Sequence, residues 1–415
     1  MSKMEFVSST NYMQPYRPLP VRLLNLLGRN RASSSLQTDA LIAQAKQKTG
    51  LDDLGDDSFR PALDTLIDAI NKEAELTLVG RMIQKSKLLS ALIQRLRVAA
   101  LLKRHPEIHS VDPGRIIMIT GLQRTGTTLL HRLLHSHPQV RGISGAESLE
   151  PVPINAMHNT RKTNFRMRAM AAERLIAWLS PDFMAAHPIA HEAPEEDVML
   201  LDLNFMSQLP EAILHVPSYS QWLEQQDHTR TYEYLRTMLK ILCWQWPTPN
   251  RVLKTPHHLE YLDVFSRIFP DATIVQTHRD PLKTLPSFCS LVAHSRAIFS
   301  DHVDPVEIGR HWGRKNRRMV DSSLQCRANL EEVKFVDVSY YDLMENPVSQ
   351  LRRIYQRAEI EFTDEAEREA GLFLQQNQQH RFGRHAYQLD DFGLSEQWIE
   401  DNFSDYRQQF GIPYE

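Results

Sequence analysis

Neither sign of charge dominates this chain: 48 Lys and Arg stand against 51 Asp and Glu, a formal net charge of -3 over 415 residues. That balance excludes the broad basic field of a nucleic-acid binder and the acidic tail of a disordered partner, so any polyanion must be held by a local cluster of cations. Cysteine is scarce. Cys243, Cys289 and Cys326 form no C-x-x-C pair and are odd in number, which argues against a disulfide framework and fits buried thiols in a reducing compartment. Long apolar runs are missing too: "LLNLL" (23–27) and "IIMI" (116–119) fall far short of the ~20 residues that a helix needs to cross a bilayer. The opening "MSKMEFVSSTNYMQPYRPLP" lacks the apolar centre of a secretory signal, so a cytoplasmic protein without a transmembrane segment is expected. Internal repeats and low-complexity tracts are absent as well.

The length allows one large domain or two ordinary ones. Residues 1–35, rich in Ser, Asn, Pro and Arg, read as an irregular N-terminal segment. Residues 36–110 read as a helical module. "TDALIAQAKQKTG" sets Leu41, Ile42 and Ala45 at helical spacing before Gly50, and two longer stretches repeat the pattern, the second stopping before Pro106. Residues 111–415 change character. "GRIIMITG" is a short β-branched run closed by glycine, the mark of a buried parallel strand. "RVLKTP" (251–256), "ATIVQTHRDP" and "VKFVDVSYYDL" (333–343) are further strands, with helical stretches such as "LEYLDVFSRIFP" between them. Strands alternating with helices predict an α/β domain with a P-loop-like parallel sheet flanked by helices, and about 155–245 reads as a mostly helical insertion.

One stretch carries chemistry. "MITGLQRTGTTLLHRLLHSHP" (118–138) begins like the phosphate loop G-x-x-x-x-G-K-[ST] and then departs from it. Gly121 and Gly126 keep the separation and Thr128 keeps the hydroxyl, but Thr127 stands in the lysine position and the cation is Arg124. Glycines that let backbone N–H groups turn inward, followed by a helix N-terminus, make an anion cradle. Phosphoryl transfer calls for a lysine and Mg²⁺. A sulfuryl group carries less charge and needs only one cation at the bridging oxygen, which Arg124 supplies.

"GLQRTGTTLL" resembles the 5′-phosphosulfate loop of sulfotransferases that use 3′-phosphoadenosine 5′-phosphosulfate (PAPS), in the bacterial and carbohydrate-type branch where arginine replaces lysine. The resemblance covers roughly 115–395 and implies a P-loop-like fold and metal-free sulfuryl transfer. It assigns Gly121, Gln123, Arg124, Thr125, Gly126, Thr127 and Thr128 to the 5′ end of the nucleotide. In "TIVQTHRDPLKTLPSFCSL" (273–291), Arg279 after a strand and Ser287 eight residues on match the family's 3′-phosphate motif; Asp280 can cap the following helix and Pro281 suits its first position. Pro286 sits where it would break that helix after one turn. Tyr340 in "SYYDL" matches the tyrosine that contacts adenine, and Arg381, Gly383, Arg384 and His385 resemble the basic loop that closes over the nucleotide.

Transfer to a hydroxyl needs a group that takes its proton. Two candidates are implied: His258 in "KTPHHLEYL", where alignment with His257 is ambiguous, and Glu147 in "SGAESLEP". Histidine titrates near neutrality, whereas a glutamate needs its pKa raised by burial. Lys254 assists at the sulfate. "HEAPEEDVMLLDLNF" (191–205) has an acidic helix start that caps a helix or lines the acceptor pocket. His131, His135 and His137 share the loop helix, but "HRLLH" lacks the glutamate of a zinc protease, and no metal is expected. The expected activity is sulfuryl transfer from PAPS to a hydroxyl, or an amine, of a small-molecule, lipid or carbohydrate acceptor. A nucleotide kinase with an altered loop and a non-catalytic nucleotide-binding protein are the rivals. Acceptor identity and oligomeric state are not legible.

Overall fold

The computed structural model describes residue 12 and residues 15–28, 35–152, 165–187, 190–330, 332–376 and 388–415. Its centre is a five-stranded parallel sheet, β1 (Arg115–Gly121), β2 (Val140–Arg141), β3 (Asn250–Lys254), β4 (Thr273–His278) and β5 (Lys334–Ser339), in the order β2-β3-β1-β4-β5. The run "IIMI" is apolar at every position because β1 is buried on both faces. Ile117 and Ile119 turn one way with Val252, Val275 and Val338, while Ile116 and Met118 turn the other way with Leu253 and Ile274. Each face is then covered by helices, giving three layers.

Among the described residues four α-helices precede the sheet: α1 (Leu19–Leu27), α2 (Thr38–Thr49), α3 (Arg60–Lys72) and α4 (Leu78–Arg104). Leu63, Leu66, Leu92 and Leu96 from this group belong to the same apolar cluster as Ile116 and Met118, so the N-terminal helices share the core on one side of the sheet. The other face is covered by α5 (Thr127–His135), through Leu130, Leu133 and Leu134, and by the helix Pro347–Arg357, through Leu351 and Ile354. Between β2 and β3 lie α6 (Gly145–Leu149), α7 (Phe165–Leu179), α8 (Pro181–Ala186) and further helices ending with Thr229–Gln245.

Two local expectations need correction. The N-terminal segment is not wholly irregular: α1 forms there, because Pro20 falls in its first turn, where a missing N–H costs nothing, and Gly28 ends it. Nor does Pro286 break its helix, which runs from Pro281 to Phe299. Leu285, Phe288, Cys289, Val292 and Ala293 of that helix are buried, and Asp280 caps it by accepting from the Leu282 N–H at 2.9 Å. Burial and capping together outweigh one lost hydrogen bond.

A buried charge cluster holds the insertion to the second half of the chain. Lys315 Nζ lies 2.9 Å from Glu260, 3.2 Å from Glu224 and 3.5 Å from Glu211, all nearly inaccessible. Burial alone would lower the Lys315 pKa, but the three carboxylates raise it, so the ammonium stays charged. Glu211 is in turn held down to about 2, against the upward push of burial, by Lys315 and His311. Lys315→Met should leave buried carboxylates without their cation and destabilise the fold by roughly 3–5 kcal/mol, read as a lowered urea midpoint. Because the Glu211 pKa is depressed, its contribution is present above the ordinary carboxylate value of 4.5 and should be lost as pH falls toward about 2.

Candidate functional site

The loop between β1 and α5 is built by close approach to β4. Gly121, at φ 143°, sits opposite Thr277 in the strand register. A Cβ there would lie 2.5 Å from Thr277 Oγ1 and 2.6 Å from its carbonyl oxygen, so only glycine lets β4 come this near. Gly126, at φ 88°, forms the cap of α5, and a Cβ on it would meet the Tyr340 ring at 3.1 Å. Thr125 Oγ1 donates to the Leu122 carbonyl at 2.6 Å and lies 2.6 Å from Thr277 Oγ1. It is fully buried and braces the loop from behind. Thr127 is buried as well, whereas Thr128 is exposed. Gln123 is buried with neither amide atom hydrogen-bonded, a polar group with capacity to spare. Arg124 adopts φ 69°, a left-handed conformation that costs a non-glycine residue about 1 kcal/mol or more.

The outgoing connection of β1 leads toward β2 and that of β4 toward β5, on opposite sides, so the gap between β1 and β4 is the switch point where α/β sheets hold ligands. Arg124 and Arg279 both emerge there. Arg124 Nε donates to Ser287 Oγ at 3.1 Å, and Arg279 Nη1 donates to the Arg124 carbonyl at 3.3 Å. The Arg279 guanidinium stacks 3.9 Å above the Tyr340 ring, an arrangement that steadies its fork. Its Nε donates to Glu415 Oε1 and its Nη2 to Oε2, each at 3.0 Å. Asp280 caps the next helix and also accepts from Arg407 and from the Glu415 N–H. Five residues singled out from sequence, Arg124, Gly126, Arg279, Ser287 and Tyr340, are thus brought into mutual contact.

The base candidates are differently placed. His258 is fully buried, with Nε2 2.7 Å from Asp197 Oδ2 and Nδ1 2.9 Å from the Tyr232 hydroxyl. Asp197 also accepts from the Lys254 N–H at 2.8 Å, so this network fixes the end of β3. His257 is buried behind it. Glu147 sits in the first turn of α6, where it completes a capping box with Ser144 and pairs with Arg141 at 2.5 Å. Lys254 stands opposite Ile119 at the loop end of the sheet, and its Nζ lies 2.6 Å from Glu196 Oε1.

Three groups that the sequence did not single out individually join Lys254. Glu195 is only partly exposed, with Lys254, Glu196 and Arg132 around it, and burial pushes its carboxyl up to about 7. His187 follows α8 and lies among Lys254, Glu196, Arg124 and Arg132; burial first, then Lys254, pushes it down to about 4. Arg132 comes from α5. The available signal was the double glutamate of "APEED", read above only as a cap or pocket lining. Arg381, Gly383, Arg384 and His385 lie outside the described residues. Among the described residues no group of three His, Cys, Asp or Glu is placed to hold a metal. His135 Nδ1 accepts from the Gly142 N–H, and His137 turns away to the Glu361 carbonyl.

A family model described as "Sulfotransferase family" matches residues 116–364. The omega-hydroxy-beta-dihydromenaquinone-9 sulfotransferase Stf3 of Mycobacterium bovis and of Mycobacterium tuberculosis is 28% identical over 273 residues, 61% of this chain and 64% of that relative's own length. Among solved structures, the sulfotransferase STF1 from Mycobacterium tuberculosis H37Rv matches with TM-score 0.79 and 31% identity over 90% of this chain and all of that one. The sulfotransferase STF9 from Mycobacterium avium matches with TM-score 0.82 and 29% identity, over 92% of this chain and 98% of that one.

Gly121→Ala should force β1 and β4 apart at the switch point, because the atom in the way is a backbone carbonyl. Urea denaturation should register a loss of roughly 1–3 kcal/mol.

Proposed function

The chain belongs to the sulfotransferase family, and from that premise we propose that it moves a sulfuryl group from PAPS to a hydroxyl on a lipid or other small-molecule acceptor. The observation that supports this reading is the contact of Arg124 with both Ser287 and Arg279, two arginines close together as a donor carrying two phosphate groups would require. The residues fit such a donor: a glycine cradle, the unsatisfied amide of buried Gln123, and an arginine stacked on an aromatic ring. Gly121, Gln123, Arg124, Gly126, Thr127 and Thr128 would hold the phosphosulfate end, with Thr125 bracing the loop. Arg279 and Ser287 would hold the 3′-phosphate and Tyr340 the adenine. Arg381, Arg384 and His385 remain part of the proposed nucleotide contacts.

PAPS, when bound, supplies an activated sulfuryl group and leaves as the bisphosphate. Arg124 keeps its charge throughout and offsets the negative charge that grows on the bridging oxygen as the S–O bond breaks. Lys254 neutralises the sulfuryl oxygens from the end of β3. We assign the acceptor's proton to Glu195, whose carboxyl is held near neutrality. Glu147 and His258, both engaged in buried networks, then serve to position α6 and Lys254. The relatives named for an omega-hydroxy-dihydromenaquinone support a hydroxyl-bearing lipid as the acceptor class.

Thermal melting separates this reading from its rivals: 3′-phosphoadenosine 5′-phosphate should raise the melting temperature and Mg-ATP should not, and the reverse would favour a kinase. Arg279→Ala should weaken binding of the bisphosphate by about ten- to a hundredfold, from the loss of charge-assisted hydrogen bonds. With labelled PAPS and an acceptor library, kcat/KM should rise as pH climbs through about 7, where Glu195 ionises. Glu195→Gln should lose roughly 10²–10⁴ in kcat while still binding the bisphosphate. If His258→Ala or Glu147→Gln shows that pattern instead, the base is misassigned.

A further inference from the structure

Two helices bury almost nothing in the protein. In α1 Val21 is the one buried residue, while Leu19, Leu23, Leu24, Leu26 and Leu27 are 70%, 57%, 47%, 57% and 80% exposed. In α7 Ala169 is the one buried side chain among those described, and Met167, Leu175 and Trp178 are each about half exposed. Both helices are tied down: in α7, Glu173 accepts from the His191 N–H at 2.9 Å and Arg168 donates to Glu150 at 3.0 Å. The Asn25 side chain accepts from the Val79 N–H at 3.0 Å, and Arg17 donates to the carbonyls of Ala297 and Ser300 at 2.9 Å and pairs with Asp301. Apolar helices held firmly with their leucines outward mark a surface made for a partner.

Charge names the partner. Residues 6–38 contain Arg17, Arg22, Arg29 and Arg31 and no acidic residue. Residues 153–180 contain five basic residues and one glutamate. The chain as a whole is slightly acidic, so these two stretches are basic against the average. The Tyr12 ring, N-terminal to α1, packs edge-on at 5.6 Å against His294, and the charge of Asp182 in α8, which follows α7, reaches the same histidine. We propose that α1 and α7 together dock the protein on an anionic lipid surface, leucines and Trp178 entering the interface with the exposed Arg22 and Arg174 toward the headgroups. A second copy of this chain would set arginines against arginines, which argues against self-association as the purpose. Because α8 leads into His187, beside Arg124 and Lys254, such docking would put the transfer site next to the lipid; that last step rests on the function proposed above, but the docking itself does not.

The full chain, sedimented with vesicles of phosphatidylglycerol or of phosphatidylcholine at low salt, tests this. At least tenfold stronger partition to the anionic vesicles is expected, falling as salt rises, with a blue shift of tryptophan emission from Trp178. Leu23→Asp/Leu27→Asp should cut that partition at least tenfold, and so should Arg22→Glu, a change confined to an exposed side chain. An unchanged thermal melt shows that each variant is folded. No sedimentation with phosphatidylglycerol, equal partition to both lipids, or a wild-type dimer in light scattering that the aspartates dissolve would each overturn the proposal. None of these readouts involves sulfuryl transfer, so they fail or succeed independently of it.

Discussion

The pairing of β1 with β4 at Gly121 and Thr277 is the constraint from which the site follows. It brings two loop arginines, 155 residues apart in sequence, close enough for one to donate to the other's backbone. Neither the cradle nor the Arg279 fork forms a two-ended site alone. The missing Cβ at Gly121 permits the approach, and the Thr125–Thr277 hydroxyl pair locks it from the buried side. The strained backbone at Arg124 lies between these contacts and its own bonds to Ser287 and Arg279.

Concentrating Arg124, Arg132 and Lys254 in one partly buried place costs repulsion, and the insertion supplies the compensation. Glu195 and Glu196 arrive on one short segment, and Asp197, the next residue, holds the strand end that carries Lys254. His187, depressed to about 4, stays neutral near pH 7 and adds no further positive charge. A neutral imidazole and a carboxyl poised near neutrality thus sit among Arg124, Arg132 and Lys254.

Much of this was legible in sequence, for physical reasons. Strands buried on both faces give unbroken β-branched runs, and the anion loop depends on local spacing, so β1, β3, β4, β5 and the loop could be read directly. Arg279 and Ser287 lie eight residues apart, close enough for a pattern to carry them. β2 could not be read, since two residues carry no periodicity. The surroundings of His258 were hidden because Asp197 and Tyr232 come from distant parts of the insertion. Burial around Glu195 is likewise a tertiary property, invisible in "APEED". The helix through Pro286 shows local preference yielding to packing.

Glu415 occupies the fork of Arg279 with both carboxylate oxygens. On the proposed reading, a 3′-phosphate arriving at that fork displaces an anion already seated there, so occupancy is an exchange of counter-ions and not the filling of a bare charge. The measured affinity is then the difference between two ion pairs, smaller than either. Because the number of paired charges hardly changes, ionic strength should move it less than a naked arginine site would allow.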